Sequence, residues 1–418
     1  MYKRLKHLIW KLKPIRLWVG LKRHWRLKKI PLCWAFSLAG YKVPKSLQWI
    51  IGADYDITEL QSLEHDTVKG YNNSLVIIDS THFILAYTGN DNDGYIKTFS
   101  IDESYNITEI DSLEHDTASG LDNSLIKIDD THYILAYEGV DSDGFIKTFS
   151  IDGSYNITEI DSLEHDTTFG SGNSLLKIDD THFVLTYKGA DYNGWIKTFS
   201  IDGSYNITEI DSLRHDTGGG SGDYNSLVMI DSTHFIFAYT GSGSDGFIKT
   251  FSIDGSYNIT EIDSLEHDTV FGWDSSLVII DSTHFILAYT GDGDSGFIKT
   301  FSIDGSYNIT EINSLEHDTV YGGYSFLIKI DDTHYILAYA GVDSDGYIKT
   351  FSIDGSYNIT EIDSLEHDTA SGSHNSLVMI DNTHYILAYT GVDYDGYIKT
   401  FSVEIPDTTN TTNFFQFF

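Results

Sequence analysis

The stretch THFILAY at residues 81–87 decides the fold, because it returns with small changes from Thr131, Thr181, Thr233, Thr283, Thr333 and Thr383. The successive spacings are 50, 50, 52, 50, 50 and 50 residues, so seven units follow one another along the chain. Each unit also carries an SL(E/R)HDT segment as at 62–67, an apolar run ending in Ile-Asp as at 75–79, and an IKTFS segment as at 96–100. These segments are β-branched and aromatic, and Gly, Asn, Asp and Ser separate them, which is the pattern of short strands and tight turns. Four short strands in a unit of this length predict an all-β, seven-bladed β-propeller of four-stranded blades.

Strand positions within a blade follow from polarity. Leu75–Asp79 and Phe83–Tyr87 are nearly continuous apolar runs, suited to strands covered on both faces, so they are the expected inner strands. Tyr105–Asp116 is more polar and belongs at the outer edge, with a bulge expected near Asp111 where alternation breaks. The chain enters with an outer-strand segment at Ile57–Asp66 and leaves with a third-strand segment at Ile398–Val403. The first strand should therefore complete the last blade and close the ring. This divides the chain into a basic N-terminal segment, 1–50, the propeller, 51–405, and a C-terminal tail, 406–418.

With the wording LAYxGxDxDGYIKTFSID, the blade resembles tandem repeats of uncharacterised microbial and phage-associated propeller proteins over roughly residues 55–403. That resemblance implies the fold rather than an activity. The Gly-His to Trp-Asp pairing of WD40 blades and the fixed double glycine of kelch blades are missing. A weaker likeness to integrin-type calcium blades rests on the Asp-rich turns, although Gly89 or Gly139 stands where a first calcium aspartate would be.

Charge is unevenly spread. Residues 1–50 hold 13 of the 26 Lys and Arg and no Asp or Glu, leaving 13 basic against 62 acidic residues, about −49, beyond. No basic cluster follows residue 50, so nucleic acid is excluded as a partner. The single Cys33 rules out a disulfide framework within one chain. Residues 1–29 read as a cationic amphipathic segment suited to membrane-surface contact, and residues 30–40 weakly resemble a signal-peptide core. Secretion or cell-surface display is the corresponding expectation.

Three repeated motifs invite chemistry. A calcium loop needs alternating oxygen ligands before a glycine; Asp91 with Asp93, Asp141 with Asp143, Asp343 with Asp345 and Asp393 with Asp395 meet this in part, giving weak calcium candidates. Fourteen histidines occupy two repeated positions, those of His65 and His82, which alternating strand direction puts at opposite ends of a blade. Asn-Ile-Thr at Asn106 and its equivalents is explained by a tight turn.

Differences between copies concentrate in two loops, one after the outer strand and one at Gly89–Gly94, which should emerge on the same face. There Tyr71, Phe169, Tyr192, Tyr224, Phe271, Trp273, Tyr321, Tyr324 and Tyr394, with His65 nearby, make an aromatic and polar surface suited to a glycan or protein ligand. Because the same groups recur seven times, no single asymmetric catalytic point is apparent. The expectation is a non-enzymatic, lectin-like multivalent binding module, with a protein-interaction scaffold as the alternative.

Overall fold

The computed structural model describes residues 55–405 apart from 219–221, so the expectations for residues 1–50 and 406–418 lie outside the described residues. Strand β1 (Ile57–Asp66) precedes the first complete blade, β2 (Tyr71–Asp79), β3 (His82–Thr88), β4 (Gly94–Ile101) and β5 (Ile107–Asp116). The same four-strand unit repeats to β26 (Ser373–Asp381), β27 (His384–Thr390) and β28 (Gly396–Val403). Each blade is one antiparallel sheet in chain order, as in β2-β3-β4-β5, and the last has the order β1-β28-β27-β26. The first strand therefore closes the ring, with Ile57 opposite Val403 and Asp66 opposite Gly396. Edge strand β5 is bulged where Asp111 and Glu109 face adjacent residues Thr98 and Phe99, which leaves Ile110 out of register and exposed.

Burial follows the polarity of the strands. Phe83, Ile84, Leu85 and Ala86 on β3 are fully buried, as are Ile96 and Phe99 on β4. The core lies between blades rather than within them: Ile78, Ile84, Ala86 and Ile96 of one blade pack on Leu125, Tyr133, Leu135, Tyr137 and Phe149 of the next. The closing seam is built alike, from Leu75, Phe83, Leu85 and Phe99 against Ile386, Ala388 and Ile398.

Polar ties pin both ends of each seam. At one end the Tyr155 hydroxyl donates to Asp79 Oδ2 at 2.9 Å while its ring stacks on His82 at 3.6 Å. Asp79 also accepts from Thr81 N–H at 2.8 Å, so the turn and the next blade share one carboxylate. Asn106 donates to Asp102 Oδ2 at 2.8 Å, the turn role its sequence suggested. At the other end the Tyr87 hydroxyl donates to Asp66 Oδ2 at 2.9 Å and Lys97 Nζ donates to the His65 carbonyl at 2.8 Å. Repeated around the ring, these bonds satisfy groups that would otherwise be buried alone.

The loop leaving each outer strand crosses its own blade at very close range. Gly120 donates its N–H to Asn92 O at 2.8 Å and accepts from Thr88 Oγ at 2.5 Å. A Cβ on Gly120 would lie 2.3 Å from the Gly94 Cα, and one on Gly94 would lie 2.4 Å from the His115 ring. Two glycines in contact, backed by an imidazole, are thus what the crossing requires. Gly120→Ala should lower stability by about 1–3 kcal/mol, as overpacking does, whereas Gly153→Ala, whose Cβ meets nothing within 4 Å, should not. Equal melting temperatures for the two variants would refute the crossing.

The imidazole behind each crossing is itself a constraint. His65, His115, His165, His267, His317 and His367 are buried, and burial, with the neighbouring seam lysine, pulls each down to about 3. His215 shifts the same way. Neither ring nitrogen of any of the seven meets a hydrogen-bond partner. An unfolded histidine titrates near 6.5, so between there and about 3 the unfolded chain binds protons that the folded chain refuses. Stability is complete above about pH 6.5 and falls with pH below it, by about 1.4 kcal/mol per pH unit per histidine. Melting temperatures measured from pH 7 down to 4 should drop steeply below 6.5; a flat profile would contradict the seven neutral imidazoles.

Candidate active site

Two residues after each crossing glycine, the chain reaches the propeller axis. The residues delivered there are Asn72, Asp122, Gly172, Tyr224, Asp274, Tyr324 and His374. All seven have left-handed backbone, with φ between 48° for Asn72 and 61° for Gly172. Pairing with the second strand skips at the same place, as between Tyr71 and Ser74 or Trp273 and Ser276. Such a bulge at the start of an inner strand re-aims one side chain. Left-handed backbone also holds Tyr105 and Tyr155 in turns of the uniform face, so strain alone does not mark the site. What marks it is that equivalent positions carry unlike groups.

The next residue in each blade forms a second ring: Asn73, Asn123, Asn173, Asn225, Ser275, Ser325 and Asn375. The asparagines tie neighbouring blades together; Asn73 Nδ2 donates to Gly70 O at 3.2 Å and His374 O at 3.1 Å, and Asn375 Nδ2 to Gly372 O at 2.9 Å and Tyr324 O at 3.1 Å. Their amide oxygens, with the hydroxyl oxygens of Ser275 and Ser325, are buried and meet no donor. The five asparagines and the first ring line a cavity of about 370 Å³ on the axis, and Asp223 adds a carboxylate to its wall.

The three carboxylates differ in environment. Asp122 accepts from Asn72 Nδ2 at 2.9 Å and from Gly172 N–H at 2.8 Å, and burial raises its pKa. Asp223 is paired with Lys188 Nζ at 2.7 Å. Asp274 accepts from Tyr324 N–H at 2.7 Å and, more distantly, from Thr290 Oγ at 3.4 Å. One edge of Asp274 faces the cavity, yet the surrounding protein is dense enough that burial pushes its carboxyl up to about 6. Beside it the Tyr224 and Tyr324 hydroxyls are held protonated, by burial first and then by the Asp274 charge. His374, between Tyr71 at 4.9 Å and Tyr324 at 4.5 Å, is pulled down to about 4 by burial and then by Lys69, and is therefore neutral at pH 7.

Of the aromatic residues singled out from sequence, Tyr224 and Tyr324 line this cavity, and the others pack into clusters on the same loops. Tyr224 stacks on Trp273 at 5.6 Å, which meets Phe271 at 4.2 Å. Tyr71 meets Tyr394 edge-on at 5.6 Å, and Phe169 meets Tyr192 at 5.0 Å with Lys188 Nζ over both rings. The Tyr321 hydroxyl lies against Gly323, and burial pushes it up to about 12. His65 is placed elsewhere: it is buried in the seam, edge-on to Tyr87 at 4.7 Å, and is no part of a ligand surface. Asp91, Asp141, Asp343 and Asp393 sit at the tips of one-turn 3-10 segments with φ of 55–57°. Asp93 and Asp143 lie beside Glu114 and Glu164, whose pKa values rise through desolvation and that proximity, while Asp345 and Asp395 cap the corresponding turns. Among the described residues no group of three or more His, Cys, Asp or Glu is arranged to hold a metal ion.

Asp122, Asp223, Asp274, His374, Lys188 and the asparagine ring were not singled out from sequence. The available signal was the column two places after the crossing glycine, where copies of a nearly invariant repeat carry Asn, Asp, Gly, Tyr and His.

The fold and site define a seven-bladed propeller with an asymmetric polar cavity on its axis. No protein-family model and no curated sequence matches the chain. Among solved structures it is similar to the periplasmic gluconolactonase of Pseudomonas aeruginosa, at 13% identity and a TM-score of 0.54 over 72% of this chain and 86% of that one. It is also similar to a Bacteroides uniformis protein assigned as a 6-phosphogluconolactonase, at 12% identity and a TM-score of 0.57 over 71% of this chain and 85% of that one. Likeness at this identity carries the fold. The expectation of a non-enzymatic multivalent binding module is corrected nonetheless: these neighbours are lactonases, and the supposed sevenfold equivalence fails at the axis.

Asp274 gives the site a measurable signature. Above about pH 6 its charge is held in a dense surround, and this cost disappears as pH falls toward its unfolded value of 3.8. Asp274→Asn should therefore raise stability at pH 8, by up to about 3 kcal/mol, and by less at pH 5. A variant less stable than the parent at pH 8 would show that the carboxylate is a structural anchor instead.

Proposed function

We propose that this protein is a hydrolase that opens a lactone or similar cyclic ester in the axial cavity. The observation that carries the proposal is the convergence of Asp274, Asp122, the Asp223–Lys188 pair, Tyr224, Tyr324 and His374 on one point of an otherwise repetitive ring. Catalysis needs unlike groups at an asymmetric place, and this place supplies them. The lactonase assignments of the two structural neighbours support the choice of reaction.

Asp274 is the general base in this scheme, because a carboxyl pushed up to about 6 is both ionised at pH 7 and more basic than an ordinary aspartate. It takes a proton from water as the water oxygen bonds to the ester carbonyl carbon. The Tyr224 and Tyr324 hydroxyls, kept protonated beside it, donate to the developing oxyanion. Collapse breaks the ring C–O bond, and the proton held by Asp274 passes to the leaving alkoxide, giving a hydroxy acid.

Turnover of gluconolactone, corrected for spontaneous hydrolysis, should rise with pH through about 6 and then level, following ionisation of Asp274. Asp274→Asn should reduce kcat/KM by about 100-fold or more, while Asp343→Asn on an exposed turn should leave it unchanged. No turnover above the spontaneous rate at pH 7, or full activity in the Asp274 variant, would refute the proposal.

A further inference from the structure

We infer that the axial cavity selects an uncharged, polyhydroxylated ligand and rejects one carrying a phosphate, a selectivity that rests on this cavity being the substrate site proposed above. Its wall is rich in acceptors, with the Tyr224 and Tyr324 hydroxyls as donors among them. Asp122, Asp223 and Asp274 contribute carboxylates, and the five asparagines of the second ring contribute buried amide oxygens without a donor. A buried acceptor left unpaired is costly, and ligand hydroxyl groups are the neutral donors that would relieve it. The neutral sugar lactone has such groups along its whole length.

Phosphate recognition requires lysine, arginine or backbone N–H groups turned toward the anion. Residues 55–405 contain thirteen basic side chains, and each is engaged or distant. Lys97 and its six equivalents lie in the seams on histidine carbonyls, as Lys97 does at 2.8 Å. Lys127, Lys177 and Lys329 pair with Asp130, Asp180 and Asp332. Arg214 is exposed on an outer strand. Only Lys69 and Lys188 approach the cavity: Lys69 bonds Asn92 and stands 4.7 Å over Tyr71, and Lys188 is neutralised by Asp223. His374, pulled down to about 4, adds no positive charge at pH 7. Among the described residues, a phosphate dianion would therefore meet the carboxylates of Asp122 and Asp274, an Asp223 whose charge Lys188 balances, and Lys69, held on Asn92, as the one cation without an acidic partner.

The test is calorimetric binding by the intact protein at pH 7.5 and low salt, comparing a neutral hexitol with the same hexitol carrying a terminal phosphate; neither can be hydrolysed as a lactone. The hexitol should bind, and the phosphate ester at least about tenfold more weakly, the factor that 1.4 kcal/mol represents. Removing two carboxylates with Asp122→Asn and Asp274→Asn together should narrow the gap; if that variant does not fold, the comparison on the parent protein still decides. Equal or tighter binding of the phosphate ester, binding of neither, or an unchanged gap in a folded double variant would overturn the inference. Hexitol binding without lactone turnover would leave the inference standing and remove the hydrolase proposal. Turnover with preference for a 6-phosphorylated lactone would do the reverse.

Discussion

Where the chain leaves an outer strand it must climb over its own blade to reach the next, and it does so by placing one glycine directly on another, as Gly120 on Gly94. No side chain fits at either position, and the imidazole of His115 fills the space on the far side. The crossing loop is then held by Asn92 and Thr88. Everything nearer the axis depends on this contact, since the residue two places later, Asp122, is delivered to the cavity by it. The same geometry returns with Gly272 on Gly246 ahead of Asp274 and Gly372 on Gly346 ahead of His374. A rigid scaffold thus presents one freely varied side chain per blade.

That division of labour explains how a repetitive molecule acquires an asymmetric site. The seams demand near-identity, because Tyr87 with Asp66, Lys97 with the His65 carbonyl and Tyr155 with Asp79 must all be made at each junction. A change in one member would leave a buried polar group unpaired. Positions 72, 122, 172, 224, 274, 324 and 374 are less constrained, since they line the cavity and the asparagines behind them bond backbone carbonyls that any residue supplies, although Asp122 and Asp274 also accept from the N–H groups of Gly172 and Tyr324. Seven-fold repetition of the scaffold and singularity of the site are therefore compatible. The non-enzymatic expectation failed because it extended the first to the second.

The two repeated histidines show how far residue type alone carries. His82 serves the turn that begins its strand, stacked on Tyr155 and bonded to Asp79. His65 was grouped with the ligand face because its segment leads into the variable loop, yet its ring turns inward between Tyr87 and Phe99. Strand alternation did not give its direction, because the ladder shifts register between Glu64 and Asp66. Asp274 was missed for a related reason: its neighbours in sequence are Trp273 and Ser275, whereas its environment comes from Tyr324, a full blade away.

Sequence by itself determined the blade count, the four strands of each blade, the outer-strand bulge and closure by β1, because periodicity and polarity are local and each blade repeats them. It also showed that one face varies. Only the tertiary structure decided which variable residues meet, since the axis is made by seven segments about 50 residues apart in the chain. A carboxyl such as that of Asp274 acquires its raised proton affinity only when the folded ring buries it, and does so against the lowering effect of the Tyr324 N–H it accepts. That enclosure is a property of the closed ring and of no single repeat.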